Sequence, residues 1–218
     1  MNWGEFAVIA LAHLFAVASP GPDFAVVLRQ TLSHGTRAGI WTSAGIASGI
    51  GLHVTYCLLG VALVIVNTPS LFSLLKLCAA AMLLVLGAQS LRAGLHALLS
   101  RKGDHQVETS GRAASTADWS VKGVYVTGFL TNGFNPKATL FFLALFSAVI
   151  SPQTSFFAQT LYGAYLAIAT FLWFALLSCL IGKEGVRRLV LRVAPWVDTG
   201  MGVLLCGLAL QLFISEIV

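Results

Sequence analysis

The chain predicts an all-α polytopic membrane protein. The expected architecture is six transmembrane helices in a 3+3 inverted-topology repeat, with helices 1 and 4 interrupted by proline motifs. Three observations predict it. First, residues are 57% hydrophobic and only 10% charged, with mean hydropathy +0.86. A soluble domain carries about a quarter charged residues; so few charges cannot cover a water-facing surface, and lipid is the expected solvent. Second, apolar segments near the ~20 residues that cross a bilayer recur along the chain. Third, two of these segments are broken by proline. Ser19-Pro20-Gly21-Pro22-Asp23 interrupts the first, and Asn135-Pro136-Lys137 interrupts the fourth.

The segments read as 5–28, 38–66, 72–96, 122–150, 156–181 and 197–215. They lack period-2 alternation and are too long for barrel strands, so they are helices. No basic residue precedes the first segment, which contains Pro20 and Asp23. It is therefore read as a retained span, not a cleaved signal. Its polar motif lies nearer the end of 5–28 than the middle. The second segment carries TSAGIASGIG, whose Gly45 and Gly49 form a GxxxG close-packing face. His13 and His53 fall in helices 1 and 2, as proton relays or as hydrogen-bonded packing residues.

Residues 100–120 are rich in Ser, Thr and Gly with mixed charge, the composition of a flexible linker. The chain is thus one membrane domain, 1–218. It divides into a three-helix half 1–99, a cytoplasmic linker 100–121 and a second three-helix half 122–218. In the fourth segment Thr127, Thr131 and Asn135 recur every four residues, with Asn132 close by. That face either lines a cavity or bonds neighbouring helices. Tyr162 and Tyr165 are cavity candidates on helix 5. Trp196 and Asp198 are expected to open helix 6 at the cytoplasmic boundary. Cys57, Cys78, Cys179 and Cys206 show no CxxC or Cys/His spacing. They read as free apolar thiols, with no metal site.

Basic residues set the orientation. Arg29 and Arg37 flank the first loop. Arg92, Arg101, Lys102, Arg112 and Lys122 lie in or beside the third, and Lys183, Arg187, Arg188 and Arg192 fill the fifth. Odd-numbered loops are therefore cytoplasmic, and both termini, near Glu5 and Glu216, face outward. The formal charge of +5 reflects these loops and not a nucleic-acid face.

Proline costs about 3 kcal/mol inside a helix but suits the first helical position after a capping residue. Ser19-Pro20 and Asn135-Pro136 both have that form. Each helix is expected to stop and restart, leaving a helix N-terminus within the membrane. Such a terminus presents free N–H groups and partial positive charge, which suit an anion such as a carboxylate. Asp23 could hold a substrate ammonium or exchange a proton. Lys137 could extend the carboxylate site or neutralise Asp23. The plainer reading is a pair of kinks with snorkelling charges. No nucleophile–base set and no nucleotide-binding motif occurs, so neither catalysis nor a cofactor is expected.

At these motifs the chain resembles the LysE/RhtB family of bacterial amino-acid exporters. SPGPDFAVVLRQTLSHGTRAGI is similar to that family's opening, and GFLTNGFNPKATLFFLALFSAVI to its fourth helix. The size, the polar linker and the APWVDTGMG stretch also match, so the resemblance covers nearly the whole chain. The SPGPD form is similar to threonine and homoserine exporter members. The resemblance implies efflux of small amino acids or derivatives across the bacterial cytoplasmic membrane, driven by protons. The family's motif positions fall on Pro20, Gly21, Pro22, Asp23, Asn135, Pro136 and Lys137. The residues themselves add Ser19, Thr131 and Asn132 to the candidate site. The expected partners are an amino acid, protons and the lipid bilayer, with a homo-oligomer left open. The rival readings are efflux of another small metabolite or a metal ion, a channel, and a membrane-embedded enzyme.

Overall fold

The computed structural model describes residues 2–67, 69–99, 119–151, 153–181 and 183–217. Its elements are α1 (Trp3–Ala18), α2 (Pro22–His34), α3 (Thr36–Asn67), α4 (Pro69–Leu99), α5 (Val121–Gly133), α6 (Pro136–Ala148), α7 (Phe156–Leu180) and α8 (Glu184–Ile217). The described residues contain no strand. Stretches of α3, α4, α7 and α8 are long and apolar enough to cross a membrane, and α1 with α2, bent by 51°, qualifies as a fifth span. α6 is apolar but shorter. The chain is an all-helical, multi-pass membrane protein with four or five candidate spans. The expected linker lies mostly outside the described residues. At its end Ser120 caps α5 by accepting from the Gly123 N–H at 3.0 Å, and Val121 is already helical.

Two element limits differ most from the sequence reading. The first segment does not end at residue 28. α2 continues to His34, because Val27 and Thr31 bury one face and His34 Nδ1 meets Gln30 Oε1 at 2.9 Å. Arg29 is therefore inside α2 and Arg37 inside α3, and the connection shrinks to Gly35 at φ +85°. That left-handed turn favours glycine. With 16 residues in α1 and 13 in α2, Asp23 lies near the middle of the bent pair and not towards one end. The last helix, expected over 197–215, starts at Glu184 and carries Pro195 in its interior. Val186 and Val190, one turn apart, are half-buried, and Val190 packs on the cluster of Phe24, Val27, Phe174 and Leu177. That apolar face draws the basic segment into the helix. Trp196 and Asp198 consequently sit well inside α8, and Arg188 and Arg192 are helical.

Glycine lets these helices approach closely. A Cβ on Gly45 of α3 would strike the Tyr125 carbonyl of α5, and one on Gly128 of α5 would strike the Thr42 carbonyl of α3. Between α4 and α8, Gly87, Gly94 and Gly202 play the same part. Small residues are the usual device where helices pack in lipid, since no hydrophobic drive brings them together. α3 packs on α5 and α7, and α4 on α6 and α8.

A separate polar cluster fixes the start of α1. Glu5 is 9% exposed. Its two carboxylate oxygens each accept from Thr154 Oγ1 at 2.9 Å, and one accepts from the Ser151 N–H at 3.2 Å. Tyr162 completes the cluster: its hydroxyl accepts from the Asn2 N–H and meets the Asn2 carbonyl, both at 3.1 Å. Tyr162 is thus committed here, at the head of α1, and not in a central cavity. Gly128→Ala should force α3 and α5 apart at a cost of about 1–3 kcal/mol. The expected result is a lower unfolding temperature in detergent. Gly185→Ala, where an added Cβ meets nothing within 4 Å, should leave it unchanged.

Candidate functional site

The two chain breaks differ in how their ends are satisfied. At the second, Asn135 is the N-cap and its Oδ1 accepts from the Lys137 N–H at 3.0 Å, with Pro136 at the first helical position. At the first, the N-cap is Gly21 and Pro22 opens α2, with no side chain capping it. The expected Ser19-Pro20 cap is therefore replaced by Gly21-Pro22. Ser19 instead ends α1, its N–H bonded to the Phe15 carbonyl, and its hydroxyl is used elsewhere. Ser19 Oγ accepts from Lys137 Nζ at 2.8 Å and donates to Asp198 Oδ1 at 2.5 Å. This chain of bonds joins α6, the first break and α8.

Asp23, in the first turn of α2, is held from the second half of the chain. Asn132 Nδ2 donates to Asp23 Oδ2 at 2.8 Å. Asn132 is 0% exposed. Its carbonyl, freed by the end of α5, accepts from the Asn135 N–H at 2.9 Å and meets His53 Nε2 at 3.1 Å. A carbonyl only accepts, so Nε2 of His53 carries the hydrogen. The neutral ring's Nδ1 then accepts from the Tyr56 hydroxyl at 2.5 Å. The ring itself stacks on Phe142 at 5.5 Å. His53 is thereby fixed as a support of the second break. Gly49 serves the same place, because any Cβ there would strike the Asn132 side chain. Its small size makes room for Asn132.

Both breaks line one cavity. Ser19, Gly21, Pro22 and Asp23 contribute from the first, and Asn132, Asn135 and Lys137 from the second. The apolar wall includes Phe24, Ile50, Phe141, Phe142, Phe174 and Met201. His13 of α1 and Thr170 of α7 add a polar pair to that wall. The cavity volume is ≈ 50 Å³, enough for a few waters. Two oxygens in this cluster are left over: Asp23 Oδ1 is buried without a hydrogen-bond partner, and so is Asn132 Oδ1, which lies against Gly49. A buried carboxylate oxygen without a donor is costly, and the open polar face suits a cationic ligand.

Of the residues singled out by sequence, Pro20, Thr131 and Pro136 do not line the cavity. The prolines shape the backbone. Thr131 precedes Asn132 on α5, and a step of about 100° per residue turns it away. For the same reason Thr127 bonds back to its own helix at the Gly123 carbonyl. Thr170 and the aromatic wall had no sequence signal beyond ordinary apolar helix composition. Asp198 carried one, as the acidic residue of the APWVDTGMG stretch, but its contact with Ser19 required the fold.

The sequence profile of the LysE type translocator family matches residues 14–216. The chain belongs to this family. It is 29% identical over 211 residues to a threonine efflux protein of Escherichia coli K12, covering 97% of this chain and 98% of that one. It is 27% identical over 196 residues to a homoserine/homoserine lactone efflux protein of Salmonella typhimurium, covering 88% and 82%. An uncharacterized membrane protein of E. coli K12, YahN, is 29% identical over 208 residues, covering 94% and 88%. No solved structure matches the chain.

The Asp23–Asn132 bond can be measured. A double-mutant cycle with Asp23→Asn and Asn132→Ala should give a coupling energy of about 1–2 kcal/mol, the range of strong interhelical hydrogen bonds in membranes. Additive effects on unfolding in detergent would show that the two breaks are energetically independent.

Proposed function

We propose that the chain is a secondary exporter of small amino acids or derivatives, threonine- or homoserine-like, across the cytoplasmic membrane in exchange for protons. One observation carries the reading: two helix breaks from separate halves of the chain, one bearing Asp23 and the other Lys137, line the same cavity. A zwitterion offers matching groups. Its ammonium fits the unpartnered Asp23 Oδ1. Its carboxylate fits the uncapped start of α2, where a Cβ on Gly21 would lie 3.8 Å from Lys137 Nζ. The printed names of the relatives, threonine efflux and homoserine efflux, favour the same substrate class.

Proton exchange follows from competition for one atom. Either an ammonium or a proton can satisfy Asp23 Oδ1, but not both at once. A carrier that crosses with substrate in one direction and with a proton in the other couples the two flows. Lys137 then holds the substrate carboxylate in the loaded state and Ser19–Asp198 in the empty one.

The reading takes α5 and α6 together as one broken span, giving six. Residues 121–148 as helix would extend about 40 Å, against a hydrocarbon core of ~30 Å. The 3+3 inverted repeat is supported by packing. α3 lies on α7, the second span of each half, and α4 lies on α8, the third of each half. Inverted repeats with broken helices at a shared site are a recurrent transporter plan. The distribution of basic residues favours cytoplasmic odd loops and outward termini.

Proteoliposomes loaded with a labelled amino-acid panel, under an imposed pH gradient, test the function. Efflux of a small neutral amino acid is expected, abolished by a protonophore; release of none would end the reading. In the same assay Lys137→Ala and Pro136→Ala should lower transport at least tenfold while the protein still inserts. Asp23→Asn should lose pH-driven accumulation, and retained exchange in that variant would assign Asp23 to proton coupling.

A further inference from the structure

We infer that His13 and Thr170 form the subsite that reads the substrate's side chain and select one bearing a hydroxyl. The inference rests on the amino-acid exporter reading above. His13 Nε2 and Thr170 Oγ1 are 2.8 Å apart across α1 and α7, both within a few per cent of full burial. Burying this pair away from any charge is costly unless it is fully bonded.

Two features separate the pair from ordinary helix-to-helix bonding. Thr42, Ser43, Ser147 and Ser178 each turn their hydroxyl back to the carbonyl four residues earlier. Thr170 does not; its hydroxyl faces His13 instead. The bond to Thr170 occupies one ring nitrogen of His13, and the other has no hydrogen bond among the described residues. The pair therefore uses only part of its donor and acceptor capacity, and the remainder opens on the cavity.

Its surroundings set what it can recognise. The polar backbone ends, Asp23 and Lys137 occupy the side of the cavity made by the breaks. Phe141, Phe174 and Met201 line the same cavity as His13 and Thr170, and Phe174 follows Thr170 by one turn of α7. An amino acid held at the breaks by its ammonium and carboxylate directs its side chain towards that wall. A purely apolar wall would favour valine over threonine by up to about a hundredfold, because a hydrophobic pocket rejects an added hydroxyl only to that extent. A wall whose donor–acceptor pair keeps hydrogen-bonding capacity beyond its mutual bond favours the hydroxyl, since the isostere gains no bond from it. Threonine and valine differ only in a hydroxyl for a methyl, so their ratio isolates this contact.

The test uses the full chain in proteoliposomes and measures kcat/KM for L-threonine and L-valine. Wild type should prefer threonine by at least tenfold. Thr170→Val, close to isosteric, should collapse that ratio tenfold or more, and Thr170→Ser should keep it. His13→Gln breaks the pair from α1 and should lower the ratio likewise, which covers the case that Thr170→Val does not yield monodisperse protein. A wild-type ratio in Thr170→Val or His13→Gln, or no preference in the wild type, overturns the inference. A wild type that moves neither these nor any other amino acid overturns the exporter reading instead.

Discussion

The structure depends on Asn132, where the end of α5 meets the start of α2. Its amide holds Asp23 of α2, its carbonyl is held by His53 of α3, and its side chain lies against Gly49. An interrupted helix frees backbone groups that lipid cannot satisfy, so a break persists only where other parts of the protein supply partners. Here the partners come from the opposite half of the chain. Gly45 and Gly128 bring α3 and α5 close enough for these short polar bonds to form. The packing of small residues and the polar centre are thus one device. Without the close crossing, Asn132 would not reach Asp23, and the carboxylate would stand alone in an apolar setting.

The unequal capping of the two breaks organises the charge. Asn135 covers the first N–H of α6, but nothing covers the start of α2. Ser19 could have served as a cap; it is drawn off by Lys137 and Asp198. The open helix end and the lysine then lie side by side, and Asp23 lines the same cavity. A small site presenting both an anion-favouring and a cation-favouring surface is matched by a zwitterion. The aromatic residues and the His13–Thr170 pair line that same cavity.

Much of this centre was legible because its chemistry is local. Asn-Pro is a cap signal readable without a fold, and Asp23 and Lys137 stood out because an apolar stretch penalises charge. The Ser19-Pro20 cap was misread for a reason sequence could not reveal: a hydroxyl goes to the strongest partner in space, and Lys137 is 118 residues away. The extent of α2 and α8 was underestimated because their polar ends read as loops, whereas Val27 with Thr31 and Val190 find apolar neighbours once folded. Glu5 read only as an acidic residue near an outward terminus, and the fold encloses it with Thr154, Ser151 and Tyr162.

By itself the sequence determined that the chain lives in lipid, that it is helical, and which prolines and ionisable residues stand within its apolar stretches. Those properties follow from composition, proline geometry and the cost of charge in an apolar medium, all of which act along the chain. Only the tertiary structure decided that both interruptions share one cavity, that Asn132 and not Lys137 bonds Asp23, and that His13 meets Thr170. These are contacts between residues more than a hundred positions apart. Their existence depends on how closely glycine-bearing helices can pack, which no local pattern encodes.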